Sequence, residues 1–156
     1  MDATNILCEI GEAFYHAQLE AVMIGNAAAA IQGAPVTTMD IDFCIEENDE
    51  TLAKLTKVAE ELEAELINYA PLYQIQAPEK EIYLDFLCNV IGIKSFDVLL
   101  KRSHQVSFDG IYQLNIAPLE DIIKSKKAAG QDKDLAVLPI LQKTLEVKNE
   151  QKNSEK

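Results

Sequence analysis

Residues 22–46 read VMIGNAAAAIQGAPVTTMDIDFCIE, and the order of side-chain types in this stretch decides what kind of fold the chain can adopt. An apolar strand-like run, Val22-Met23-Ile24, stops at Gly25-Asn26. Small residues follow as far as Gln32, and a second apolar strand pattern opens with Asp40-Ile41-Asp42. Side chains alternate along a strand, so this pattern predicts Asp40 and Asp42 on one face and Ile41, Phe43 and Ile45 toward a core. Asp is disfavoured in strands, and two like charges side by side cost stability unless a cation neutralises them. Mg²⁺ (or Mn²⁺) takes oxygen ligands, usually one or two carboxylates with water and substrate phosphates completing the shell. The pair therefore points to metal-assisted phosphate chemistry.

A second acid pair, Asp132-Lys133-Asp134, reads differently. It follows Gly130 and precedes Leu135-Ala136-Val137-Leu138, where acids suit the first turn of a helix and favour its dipole without any metal. A third position stands out in Ile82-Tyr83-Leu84-Asp85-Phe86-Leu87, where Asp85 is flanked by apolar bulk and needs a partner. Lys126 lies in the basic half of Leu119 to Ala129, a placement that also suits a helix C-terminus capped by Gly130.

Ile24-Gly25-Asn26, Gly33-Ala34-Pro35, Thr38 and Asp40-Ile41-Asp42 resemble the opening signature of the polymerase-beta-like nucleotidyltransferase superfamily. The segment around Asp85 looks like the strand bearing its third catalytic carboxylate. Leu119-Glu120-Asp121 through Lys126, Gly130 and Lys133-Asp134 is similar to the Lys-bearing helix of its minimal bacterial branch, which includes the nucleotidyltransferase toxins of the abortive-infection (AbiEii) type. The resemblance spans about Val22 to Leu138. It implies transfer of a nucleoside monophosphate from an NTP to a hydroxyl of RNA such as tRNA, of a protein or of a small molecule, with an antitoxin or a second copy as a partner. It also implies Asp40, Asp42 and Asp85 as catalytic and metal-holding residues, and Gly25, Asn26, Thr38, Lys126 and Asp134 as nucleotide contacts. Gly25 permits close backbone approach to a phosphate, and Asp85 either completes a metal position or takes the proton of the attacking hydroxyl.

The chain departs from that pattern at Asn26, where relatives carry a second Gly or a Ser, and at Val36 and Gln131, where Arg is usual. Neither Val nor Gln reproduces the bidentate phosphate fork of Arg. A noncatalytic nucleotide- or protein-binding module of the same fold is the alternative that these departures favour.

The alternation of elements predicts a single α/β (α+β) domain with a mixed sheet flanked by helices. Helices are expected over about 2–20, 26–32, within 46–65, 95–102, 118–129 and 133–148, and strands over 21–24, 40–45, 72–76, 82–87, 105–108 and 112–114. The domain is expected to occupy 1–147, with a polar, disordered tail over 148–156. No apolar run approaches a membrane span and no secretion signal is evident, so a cytoplasmic protein is expected. Cys8, Cys44 and Cys88 lack metal spacing and read as reduced, buried thiols, while His16 and His104 are assigned no chemistry. The net charge of −12 opposes avid nonspecific nucleic-acid binding, and leaves 101–104 and 124–133 as the two basic concentrations.

Overall fold

The computed structural model describes residues 3–154. Helix α1 (Ala3–Ala17) leads into strand β1 (Val22–Ile24), helix α2 (Gly25–Ile31) and strand β2 (Ile41–Cys44). Helix α3 (Asp49–Glu61), strands β3 (Glu65–Tyr69), β4 (Leu72–Ala77) and β5 (Ile82–Leu87), helix α4 (Phe96–Arg102) and strands β6 (His104–Ser107) and β7 (Gln113–Ile116) follow. Helices α5 (Leu119–Ala129) and α6 (Asp132–Ser154) close the chain. The seven strands form one sheet in the order β3-β4-β5-β2-β1-β7-β6. β2 runs parallel to β5 and β1 parallel to β7, and the other neighbours are antiparallel. The expected mixed sheet with flanking helices is thus the observed architecture.

The helix ends explain where element boundaries differ from expectation. α1 stops at Ala17 rather than near Glu20 because Gln18 turns left-handed (φ 57°), and the amides of Gln18 and Leu19 return to the carbonyls of Tyr15 and Phe14 at 3.1 and 2.9 Å. That is a Schellman closure made without glycine. α3 ends the same way: Glu63 has φ 53°, and Ala64 donates to the Ala59 carbonyl at 2.8 Å. Strand β3 then emerges where the sequence pattern predicts none. Its half-buried residues, Leu66 and Ile67, are consecutive instead of alternating, so the strand signal is missing.

One face of the sheet carries the aromatic core. Phe14 of α1 meets Phe43 edge-on at 5.0 Å, and Phe43 stacks on Phe86 at 5.5 Å. A wholly buried ring such as Phe43 or Phe86 is stabilised by roughly 1.5–3 kcal/mol relative to exposure. By strand alternation, Asp42 and Asp85 point to the opposite face. α5 packs against α2 and α6. α6 continues to Ser154, across most of the segment expected to be a disordered tail. No Gly or Pro interrupts it after Pro139, its residues are largely good helix formers, and Lys148 reaches the Gln32 side-chain oxygen at 3.5 Å. Residues 155 and 156 of that segment lie outside the described ones. Among the described residues no helix is long and apolar enough to cross a membrane.

Candidate active site

Asp42 sits in the middle of the sheet, opposite Asp85 in the parallel β2–β5 register and opposite Ile24 in the antiparallel β1–β2 register. The chain leaves β1 through Gly25, whose φ is +68° and whose missing side chain makes room for the acid. A Cβ there would stand 2.9 Å from Asp42 Oδ2, so the carboxylate would have to shift to admit any side chain. Gly25 is therefore required twice, for its conformation and for the close passage of the backbone over a carboxylate.

Asp40 is placed differently from the expectation of a same-strand pair. β2 begins at Ile41, and Asp40 lies in the bend before it, exposed, with the Thr38 hydroxyl donating to its carbonyl at 2.8 Å. Even from the bend, the charge of Asp40 still acts on Asp42 and disfavours its ionised form. Thr38 is thus a support for the bend. It lines a separate, largely apolar cavity of about 790 Å³, together with Val36, Met39 and Ile41. Asp85 accepts a hydrogen bond on Oδ1 from the Gln74 amide at 2.9 Å, across the β4–β5 register.

A pocket of about 350 Å³ gathers Gly25, Asp42, Lys126 and Asp134, with Leu87, Val90, Ile91 and Ile122 among its apolar walls. Lys126 of α5 is largely buried, with Nζ 3.8 Å from Asp134 Oδ1. The other oxygen of Asp134 accepts from the backbone amide of Gln131 at 3.3 Å, half of a capping box at the start of α6. Asp134 therefore does what its helix-start position predicts and also holds Lys126. Gly92 (φ +83°) lets the chain beyond β5 pass against α5, since a Cβ there would meet Ala128 Cβ at 2.9 Å.

Burial raises the Asp42 carboxyl to about 6, and the charges of Asp85 and Asp40 and a hydrogen bond with Asp85 push the same way; among these influences only Lys126 opposes. Positive charge is wanting at this point of the fold. Two hard carboxylates on adjacent strands fit the one or two protein ligands that Mg²⁺ or Mn²⁺ usually takes. The three expected ligands do not form a ready-made cage: among the described residues no three His, Cys, Asp or Glu side chains converge in an arrangement able to hold a metal ion.

Of the residues read from the sequence, the pocket unites Gly25, Asp42, Lys126 and Asp134, with Asp85 alongside Asp42. Asn26 follows Gly25 in the first turn of α2 with its side-chain oxygen buried and unpaired. Sequence reasoning missed two participants. Gln74 could be paired with Asp85 only through the strand register. Asp121, in the pocket wall, is gripped by Arg102 Nε at 2.8 Å and Nη2 at 2.9 Å. A buried acid in a helix first turn and an Arg in the last turn of another helix carry no local signal of meeting. Cys8, Cys44 and Cys88 are in no disulfide; the last two are buried as expected, whereas Cys8 is only half-buried.

A family model described as "Nucleotidyl transferase of unknown function (DUF2204)" matches residues 3–154. No curated protein sequence matches the chain. Among solved structures, the chain is similar to TM1012, a candidate nucleotidyltransferase from Thermotoga maritima, with 16% identity over 86% of this chain and 89% of that one and a TM-score of 0.62. It is also similar to the antibiotic-resistance factor ANT(2'')-Ia, with 14% identity, 97% and 91% coverage and a TM-score of 0.59. The Helicobacter pylori protein JHP933 gives 17% identity, 89% and 64% coverage and a TM-score of 0.58. At these identities the likeness is one of fold.

Proposed function

The chain belongs to this family of nucleotidyl transferases, and on that premise we propose that it is an Mg²⁺- or Mn²⁺-dependent enzyme that moves a nucleoside monophosphate from an NTP to a hydroxyl group. The observation that carries the proposal is Asp42 beside Asp85 on adjacent parallel strands, half-buried, with the Gly25 backbone against it and too little positive charge around it. Asp42 would hold the metal, with Asp40 at its edge, leaving Asp85 for the proton of the attacking hydroxyl. The ion would supply the charge that lets polyphosphate approach these acids.

The protein's own groups divide the remaining work. The backbone at Gly25 and the Asn26 amide contact the phosphates, and Lys126, held by Asp134, offers its ammonium to the same anion. The acceptor oxygen attacks the α-phosphorus, the bond to pyrophosphate breaks, and the hydroxyl proton passes to the Asp85 carboxylate, which Gln74 keeps oriented through Oδ1. Thr38 acts at one remove, by fixing the bend that bears Asp40.

A second reading, a noncatalytic module that binds nucleotide without turning it over, is favoured by Asp40 standing outside β2, by Val36 lining an apolar cavity, and by Gln131 giving only its backbone amide to Asp134. The experiment is calorimetric titration of ATP, GTP, CTP and UTP with and without Mg²⁺, followed by a pyrophosphate-release assay with candidate acceptors. Metal-dependent binding that disappears in Asp42→Ala supports the site, and pyrophosphate release supports the enzyme. Binding without release supports the module. Binding indifferent to both metal and Asp42 overturns the placement of the site.

A further inference from the structure

Arg102, which grips Asp121 in the wall of the acid pocket, also lines a second groove of about 420 Å³. His104 at the start of β6 and Lys148 and Lys152 on α6 complete a set of basic side chains from three elements. The two lysines are four residues apart and share one helix face. Glu120 is the only acid among the described residues of the lining.

The two lysines are poorly neutralised, whereas Arg102 is already paired with Asp121 and keeps only part of its guanidinium for a ligand. Arg102 spends Nε and Nη2 on Asp121 and remains half-exposed. Lys148 makes one long contact, 3.5 Å to an uncharged amide oxygen, and among the described residues no acid lies within ion-pair distance of Lys148 or Lys152. In a chain of net charge −12 this convergence is against the trend of the surface, because polyanions are repelled elsewhere.

We propose that this groove is a phosphate-binding site, separate from the acid pocket, that takes phosphate esters through Arg102, Lys148 and Lys152. Its volume exceeds what a single phosphate fills, so the ligand brings further atoms, either the backbone of a nucleic-acid strand or a free nucleotide. Unlike the acid pocket, it needs no metal to receive an anion, and it does not depend on the transferase reading.

The test measures a labelled single-stranded RNA oligonucleotide by fluorescence anisotropy and ATP by calorimetry, both without metal and at low salt. Wild type, Lys148→Glu/Lys152→Glu and Asp42→Ala are compared. At least one probe binds wild type and Asp42→Ala alike, while the double variant binds at least tenfold more weakly and, for the oligonucleotide, loses about 1.4 from its log–log salt slope. Oligonucleotide binding alone identifies a nucleic-acid backbone as the source, and ATP binding alone a free nucleotide. Lys152→Glu, at an exposed position, gives a smaller loss in the same direction and guards against a folding defect in the double variant, with both checked by circular dichroism. Absence of binding of both probes, or equal binding by wild type and the lysine variants, overturns the proposal.

Discussion

Asp42 and Asp121 line the same pocket and are in opposite electrostatic circumstances. Asp121 is buried and held by a two-pronged guanidinium; Asp42 has another carboxylate beside it, and Lys126 as the one opposing influence on its charge. Burying a charge is costly unless it is paired, so the first acid is satisfied by the fold itself and the second is left short of positive charge, which is what the proposed metal site would remedy. An uncompensated acid marks chemistry, and a compensated one marks architecture.

The comparison breaks most decisively at Asp42. If the proposed function holds, Asp42→Ala cuts metal-dependent nucleotide transfer by roughly a hundredfold or more, the scale seen when a transition-state electrostatic contact is removed, while its unfolding midpoint holds or rises. A loss of folding with transfer intact would reverse the assignment of roles. Arg102→Leu should do the converse: Asp121 is left buried without its partner, so the thermal midpoint falls, while Mg²⁺-dependent NTP binding at Asp42 persists in the folded fraction. Calorimetry and denaturation on the same samples separate the two.

The smallest effect sharpens the comparison through pH. Asp42 titrates near its ordinary 3.8 when unfolded and near about 6 when folded. The folded metal-free protein therefore binds more protons between these values, and its stability falls as pH rises across that window. Asp42→Asn removes the penalty. Above pH 6 it should stabilise the metal-free protein by about 1 kcal/mol, a figure reduced for partial solvent exposure, and the gain should vanish near pH 4. Chemical denaturation at several pH values reads this directly, and an advantage that grows on acidification would contradict it.

Much of the fold, and the acids that meet in the candidate site, were legible because their signals are local. The apolar runs at Val22–Ile24 and Ile41–Cys44 mark the central strands, and acids in apolar company mark Asp42 and Asp85. The rest depends on distant geometry. Gln18 and Glu63 end helices in a left-handed conformation that their identities do not advertise, which hid the end of α1 and the start of β3. Asp40 looked like a strand residue because its alternation with Asp42 is correct, but the ladder begins one residue later. Arg102 and Asp121 meet only because α4 and α5 are brought together by the sheet.

The central strand β1 acquires its neighbour β7 across a long loop in sequence: the Asn115 side chain returns to the Ala21 carbonyl, 94 residues away. Closing such a loop costs entropy before any contact rewards it, so this pairing belongs to the slow part of folding. Lys126 comes later still in the chain, after β7. A nascent chain therefore passes a long interval with Asp42 translated and no ammonium yet made to face it.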